Sequence, residues 1–400
     1  MVKTNTNIIL SKAQDFVNIN LIFKQFLYII VLIIIKGRKN MLKKLTSIVL
    51  SMLFAFFLLT NLFACKTNGS SFTFSCFNTQ VHVQCNHKNV DLATQNKIKG
   101  LFTGLYSNFN ANDKNSFLTQ INDASANQVF TLDGHKLSVF SSAKEVYNFS
   151  NGYFDPTVYP LVKLWGFAPY VYTPNYIPPQ QEQIDDALSS IGFDKIILDS
   201  QQKILYKTDQ TVKLDLGGLV KGYASQLAGQ ILTSAGYNSG YVNVGGSSLF
   251  LLQVPSLDIR HPRKTGGQAI LTVNCQGQSN LNVSTSGDYE KYYIDANQNK
   301  YCHIINPKTG YPTTTGVASV TIMGIDGAIS DGLTTSACLM EYSSSDDCSL
   351  KEYLRKVISL YPNCSIFAVV DNGQNKVVLT NKTQGEHFTL HDNEYQVVSI

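Results

Sequence analysis

The chain has 400 residues, 44% hydrophobic and 15% charged, with 27 Gly and 11 Pro; that composition excludes a disordered or fibrous protein and allows a sizeable core. Its net charge of +4 averages two unlike parts. Residues 1–64 hold eight Lys or Arg against one acid, Asp15, so 65–400 carries 24 basic and 27 acidic residues and is not a general nucleic-acid binder.

Two apolar stretches open the chain, 26–35 and 48–64, separated by a basic segment that contains Met41, Lys43 and Lys44. The second runs from Lys43-Lys44 into Leu62-Phe63-Ala64-Cys65, the order of a secretory signal ending in a bacterial lipobox. On this reading 1–40 is an upstream extension, 41–64 a lipoprotein signal peptide, Cys65 the lipidated residue, 65–71 a tether and 72–400 one large domain. The body is then lipid-anchored to the cell membrane and faces away from the cytoplasm. A plain transmembrane anchor is the alternative for 48–64, whereas the ten apolar residues of 26–35 are too few to span alone.

Seven further cysteines follow Cys65, without any C-x-x-C pair. A zinc site is not indicated, and at least one thiol stays unpaired.

Alternation across 72–84 predicts a strand, and helical spacing follows at Ile98, Leu101, Phe102 and Leu105, then over 143–149. The Tyr- and Pro-rich stretch 170–181 reads as a surface loop. Residues 211–214 read as a strand running into Asp215-Leu-Gly-Gly218, after which 219–235 has helical composition. Strands are further expected at 241–244, 269–273, 318–323, 365–370 and 376–380, and a helix over 328–340. Strands and helices mix without a regular βαβ repeat, so the fold class is α+β.

Four segments combine residue types that carry chemistry. In 215–222 an acid and two glycines lead into a helix that carries Lys221 and whose free N–H groups suit a phosphate. Asp331 and Thr335 stand four apart, hence on one helical face among small residues, and offer hard oxygen ligands to Mg²⁺. His303 precedes the turn Pro307-Lys-Thr-Gly310, where an imidazole can take a proton from a hydroxyl. Residues 152–167 hold the only Trp among many aromatics, a pattern of core packing.

In chain order these segments resemble the ApbE family of FAD:protein FMN transferases. The resemblance rests on Phe154-Asp-Pro-Thr-Val158 with Leu164-Trp-Gly-Phe167, Asp215-Leu-Gly-Gly218 with Lys221-Gly-Tyr223, Asn243-Val-Gly-Gly246, Ser286-Gly-Asp-Tyr289, His303-Ile-Ile with Pro307-Lys-Thr-Gly310, and Asp331-Gly-Leu-Thr-Thr335. It implies one ApbE-like, T-fold-related catalytic domain that splits FAD and joins its FMN half, through a phosphoester, to a Thr or Ser of an exported target, releasing AMP. It further implies Mg²⁺ held by the main-chain oxygen of Gly218 and the side chains of Asp331 and Thr335, with His303 as base.

Asp215, Lys221, Phe154, Asp155 and Ile305 are the implied FAD contacts, and Phe77 stands where relatives carry a Met against the flavin or adenine. Phe109 is a candidate for the place of a ring-stacking Tyr. Where relatives commonly carry an acid after His-Ile-Ile this chain has Asn306, which removes a negative charge beside the base. The implied partners are FAD, an exported flavin-acceptor protein of an electron-transfer complex, and the membrane through the lipid anchor. Two alternatives stay open: an FAD-binding lipoprotein or FAD pyrophosphatase without transfer to protein, and a solute-binding lipoprotein, to which the Gly-Gly and Asp/Thr pairing is foreign.

Overall fold

Nine strands make one sheet whose spatial order follows the chain: β1 (Ser70–Cys76), β2 (Thr79–Cys85), β3 (Gly240–Val244), β4 (Ser248–Leu251), β5 (Leu281–Gly287), β6 (Val317–Met323), β7 (Ser365–Asp371), β8 (Lys376–Thr380) and β9 (Gln396–Ser399). Neighbours are antiparallel except β8 and β9, which run parallel. This computed structural model describes residues 69–400. The extension, the signal, the lipobox with Cys65 and the tether up to residue 68 lie outside the described residues.

Period-two alternation sends the two faces of the sheet into different cores. Val81, Val83, Val242, Val244, Val320, Ile322, Ile366 and Ala368 face four helices: α1 (Leu92–Phe109), α2 (Gly134–Phe149), α3 (Gly217–Ser234) and α4 (Gly327–Ala337). Tyr241, Leu249, Leu251, Met323, Phe367 and Val369 face a three-stranded sheet of Ser256–Arg260, Ala269–Asn274 and Phe388–Leu390. With both faces covered, β6 is buried at every position, its polar Ser319 and Thr321 included. The α+β expectation holds.

Side chains fix most helix starts. Asp91, Asp133 and Asp326 accept from amides of the first turns of α1, α2 and α4, while α3 begins at Leu216 with no side-chain cap. A third apolar cluster, built from Leu161, Trp165, Phe167, Ile184, Tyr293 and Ile305, lies beneath the Tyr-rich segment.

Three expectations need correction. The alternation of 72–84 is a hairpin, because Phe77 and Asn78 take φ of 52° and 55° and turn the chain between β1 and β2. Residues 211–214 join no ladder: the Asn122 side chain takes their backbone instead, accepting from Leu214 N at 2.7 Å and donating to Leu214 O at 3.0 Å. The 170–181 stretch is irregular but not merely superficial, since Tyr176 stacks on Tyr293 at 4.3 Å. All seven described cysteines are free thiols, and among the described residues no helix is long and apolar enough to cross a membrane.

Candidate active site

Helices α3 and α4 touch through glycine. A Cβ on Gly222 would stand 1.9 Å from Gly327 O, so neither position tolerates a side chain while the helices keep this crossing. Close approach brings Asp331 of α4 against α3, where its Oδ2 accepts from the Gly222 amide at 2.6 Å. Ser248, at the start of β4, donates to the same carboxylate at 2.9 Å and 3.0 Å. Burial pushes the Asp331 carboxyl up to about 6, against the Lys221 charge and these hydrogen bonds.

One turn further along α4, Thr335 Oγ1 donates to Asp331 O at 2.9 Å and meets Ser286 Oγ of β5 at 3.1 Å. A Cβ built on Gly218 would lie 3.7 Å from Thr335 Oγ1 and 3.1 Å from the Phe154 ring, so the first turn of α3 faces that hydroxyl. In a regular helix the Gly222 amide bonds the Gly218 carbonyl. A main-chain carbonyl has two lone pairs, so the Gly218 oxygen can serve the helix and still face a further partner.

The base candidate sits on a small ribbon, Tyr292–Ile294 paired with Lys300–Cys302. His303 follows it, with its amide on Lys291 O at 3.0 Å and Nδ1 3.3 Å from the same oxygen. A carbonyl only accepts, so Nδ1 carries the proton of the neutral ring and Nε2 keeps the lone pair. Burial, then the Lys291 and Lys221 charges, push His303 down to about 4. Lys221 holds Ser247 Oγ at 2.9 Å. Burial raises the Asp215 carboxyl, opposed by its bond from the Gly217 amide and by Lys291 and Lys221. Lys221 therefore acts on Asp215, Asp331 and His303 alike.

The ApbE family profile matches residues 77–352, more than half of the chain. The chain belongs to the ApbE family. An FAD:protein FMN transferase of Haemophilus influenzae is 28% identical over 250 residues, covering 60% of this chain and 71% of that protein. One of Rhodobacter capsulatus is 29% identical over 250 residues, covering 61% of this chain and 46% of that protein. The crystal structure of the ApbE protein of Thermotoga maritima is 28% identical with a TM-score of 0.63, covering 76% of this chain and 94% of that one.

As an ApbE-family enzyme, the chain brings Gly218, Asp331 and Thr335 to one spot. Among the described residues no three His, Cys, Asp or Glu gather as a metal cluster. The donors are instead one buried carboxylate, one hydroxyl and one main-chain oxygen, an all-oxygen set that fits a hard divalent cation. Asp331 Oδ1 has Ser248 as its protein donor and keeps room for a further partner.

Other expected contacts fall differently. The Phe154 ring lies at Gly218, but both Asp155 oxygens are taken by Thr157 and the Phe193 amide, so that buried carboxylate fixes the 156–158 turn. Phe77 packs on Phe102 and Tyr106 of α1, and Ile305 lies in the cluster with Trp165. Phe109 is buried against Phe140 and cannot stack on a ligand. Asn306 Oδ1 accepts from Lys308 N at 2.9 Å, closing the Pro-Lys-Thr-Gly turn. Sequence reasoning missed Ser248 and Lys291. A serine after Gly-Gly and one lysine of many carry no pattern, and only folding sets them beside Asp331 and His303.

Proposed function

We propose that this chain is an FAD:protein FMN transferase that requires Mg²⁺, moves FMN from FAD to a Thr or Ser hydroxyl of an exported acceptor protein, and releases AMP. The observation that carries this reading is the meeting of Asp331, Thr335 and Gly218, with Lys221 acting electrostatically on both Asp331 and His303.

The acceptor oxygen attacks the phosphorus on the FMN side, the bond from that phosphorus to the bridging oxygen breaks, and AMP leaves with that oxygen. His303 Nε2 accepts the hydroxyl proton. Lys221, anchored on Ser247 in the opening turns of α3, holds phosphate oxygens by its charge at the positive end of that helix. A Mg²⁺ held by Gly218 O, Asp331 and Thr335 would neutralise charge on the phosphate bridge. The lowered affinity of His303 for a proton keeps the ring neutral at pH 7.

The order of Lys43-Lys44, an apolar run and Leu62-Phe63-Ala64-Cys65 supports attachment of the enzyme to the membrane by a lipid on Cys65, with its domain facing away from the cytoplasm. Cys65→Ala then abolishes labelling by a fatty-acid probe and releases the protein from the membrane fraction. The transfer itself is tested with purified protein, FAD, Mg²⁺ and an exported flavin-acceptor domain, reading covalent flavin fluorescence and AMP together. AMP without flavin on the acceptor supports a pyrophosphatase and overturns the transfer reading.

A further inference from the structure

The ribbon that carries His303 also carries an unassigned cation. Its register pairs Tyr292 with Cys302 and Tyr293 with Tyr301, so one step outward pairs Lys291 with His303, and the His303 amide on Lys291 O at 3.0 Å closes that step. Opposed residues of an antiparallel pair point to the same face with Cβ atoms about 5 Å apart. Lys291 therefore stands beside the imidazole on the face that His303 presents.

Three other groups act on that face. Lys221 projects from α3 and is anchored on Ser247 at 2.9 Å, and Asp215 lies just before the same helix. Lys291 and Lys221 each lower the proton affinity of His303, and each favours the ionised form of Asp215. Asp288 opposes the two lysines at His303. Asp288 itself is held in a two-point ion pair by Arg263 at 2.6 Å and 2.9 Å and by Lys300 at 3.4 Å, so its charge is already answered. Two ammonium groups thus converge beside a neutral imidazole, while Lys291 has no ion-pair carboxylate within 4.0 Å among the described residues. An exposed lysine lacking a pair and set at the mouth of a site suits a dianionic ligand.

We propose that Lys291 is a further catalytic residue: its ammonium binds a pyrophosphate oxygen of the dinucleotide beside His303. The assignment rests on the reading of the site as one that takes FAD. It gives Lys291 two effects that one side chain exerts together. Contact with phosphate raises affinity for anything bearing a diphosphate, and the same charge holds the neighbouring imidazole unprotonated. A lysine that merely solvates the ribbon would act on the imidazole but would not raise affinity for a diphosphate, so the binding titrations decide.

The test uses the whole protein, with FAD, ADP and riboflavin as probes in direct binding titrations. Lys291→Met is expected to weaken FAD and ADP by roughly tenfold or more, the worth of one charge-assisted hydrogen bond, and to leave riboflavin unchanged. Lys291→Arg restores most of the ADP affinity. By NMR the His303 titration, assigned with His303→Gln, moves upward in Lys291→Met. Lys291 is exposed, so the variant folds, and an unchanged thermal transition documents it. FAD and ADP affinities within twofold of the parent protein overturn the proposal. A parent protein that binds neither FAD nor ADP overturns the functional reading instead, and the two failures are told apart by that control.

Discussion

The Gly222 amide and the Asp331 carboxylate are joined at 2.6 Å, and the bond exists only because α3 and α4 cross at a pair of glycines. Gly222→Ala would set a methyl 1.9 Å from Gly327 O and 2.9 Å from Asp331 Cγ. The obstacle is backbone, so the helices must part. The expected loss of stability is about 3 kcal/mol, the upper end of overpacking, and thermal unfolding measures it. Displacement of Asp331 also removes transfer, so any folded fraction remains inactive.

Asp331→Asn separates charge from shape. Asp331 has its proton affinity raised to about 6, so in the folded state ionisation is resisted, and stability falls as pH rises from near 4 through about 6. Keeping the buried carboxylate ionised costs on the order of 3 kcal/mol at neutral pH. The variant loses that slope and is as stable as the parent at pH 7 or more so. Transfer is expected to fall by at least about a hundredfold, and Mg²⁺, expected to raise the melting temperature of the parent, leaves that of the variant unchanged. A variant that is destabilised at pH 7 yet still stabilised by Mg²⁺ refutes the assignment.

Pattern and composition make the regular elements readable to within two residues: the helix expected over 219–235 begins at 217, the strands expected at 241–244 and 318–323 run over 240–244 and 317–323, that at 376–380 matches, and their mixture gives the α+β class. The hairpin at Phe77 and Asn78 is marked only by a change of parity, from even apolar positions up to Cys76 to odd ones from Val81, and 211–214 reads as a strand because its partner is one side chain, Asn122, 92 residues away. At the site, Asp331 and Thr335 were legible because helical spacing links them, while Gly218 required the family resemblance. Ser248 and Lys291 had no such link, since their neighbours come from other elements. Asp155 and Phe109 misled for the opposite reason: a motif position does not say whether a side chain serves the ligand or the turn beneath it.

Ser248→Ala tests the support behind the carboxylate. Ser248 donates to both Asp331 oxygens and is fully buried, so its loss withdraws the donor that stabilises the ionised form. Asp331 then titrates above about 6, and Mg²⁺ binding at pH 7 weakens by about tenfold, as removal of an outer-shell partner usually does. Calorimetric titration of Mg²⁺ into parent and variant decides. An unchanged affinity removes Ser248 from the site.

Asn306→Asp tests the departure from the family pattern. The amide oxygen accepts from Lys308 N, and a carboxylate oxygen does the same, so the turn survives. The added negative charge raises the proton affinity of His303 if it reaches the ring, moving the acid limb of the rate upward. The change in kcat stays within about threefold, because the proton acceptor is already set by its bond to Lys291 O and by two lysines. A larger gain in kcat would make position 306 a determinant of rate.

The pH profile joins the two halves of the site. On the proposed function His303 would work unprotonated, and it is held down to about 4, whereas Asp331 would have to ionise to bind a cation, and it is held up to about 6. As pH falls, Asp331 therefore protonates first and His303 second. Metal and proton compete for Asp331, so a saturating cation pulls its apparent titration downward. At limiting Mg²⁺ the acid limb of kcat/KM is expected near pH 6, and with rising Mg²⁺ it moves toward pH 4, where the imidazole takes over. Initial rates measured from pH 4 to 8 at several Mg²⁺ concentrations give the limb directly. A limb fixed near 6.5 at every concentration would mean an unperturbed histidine and no metal on Asp331, and would break both assignments at once.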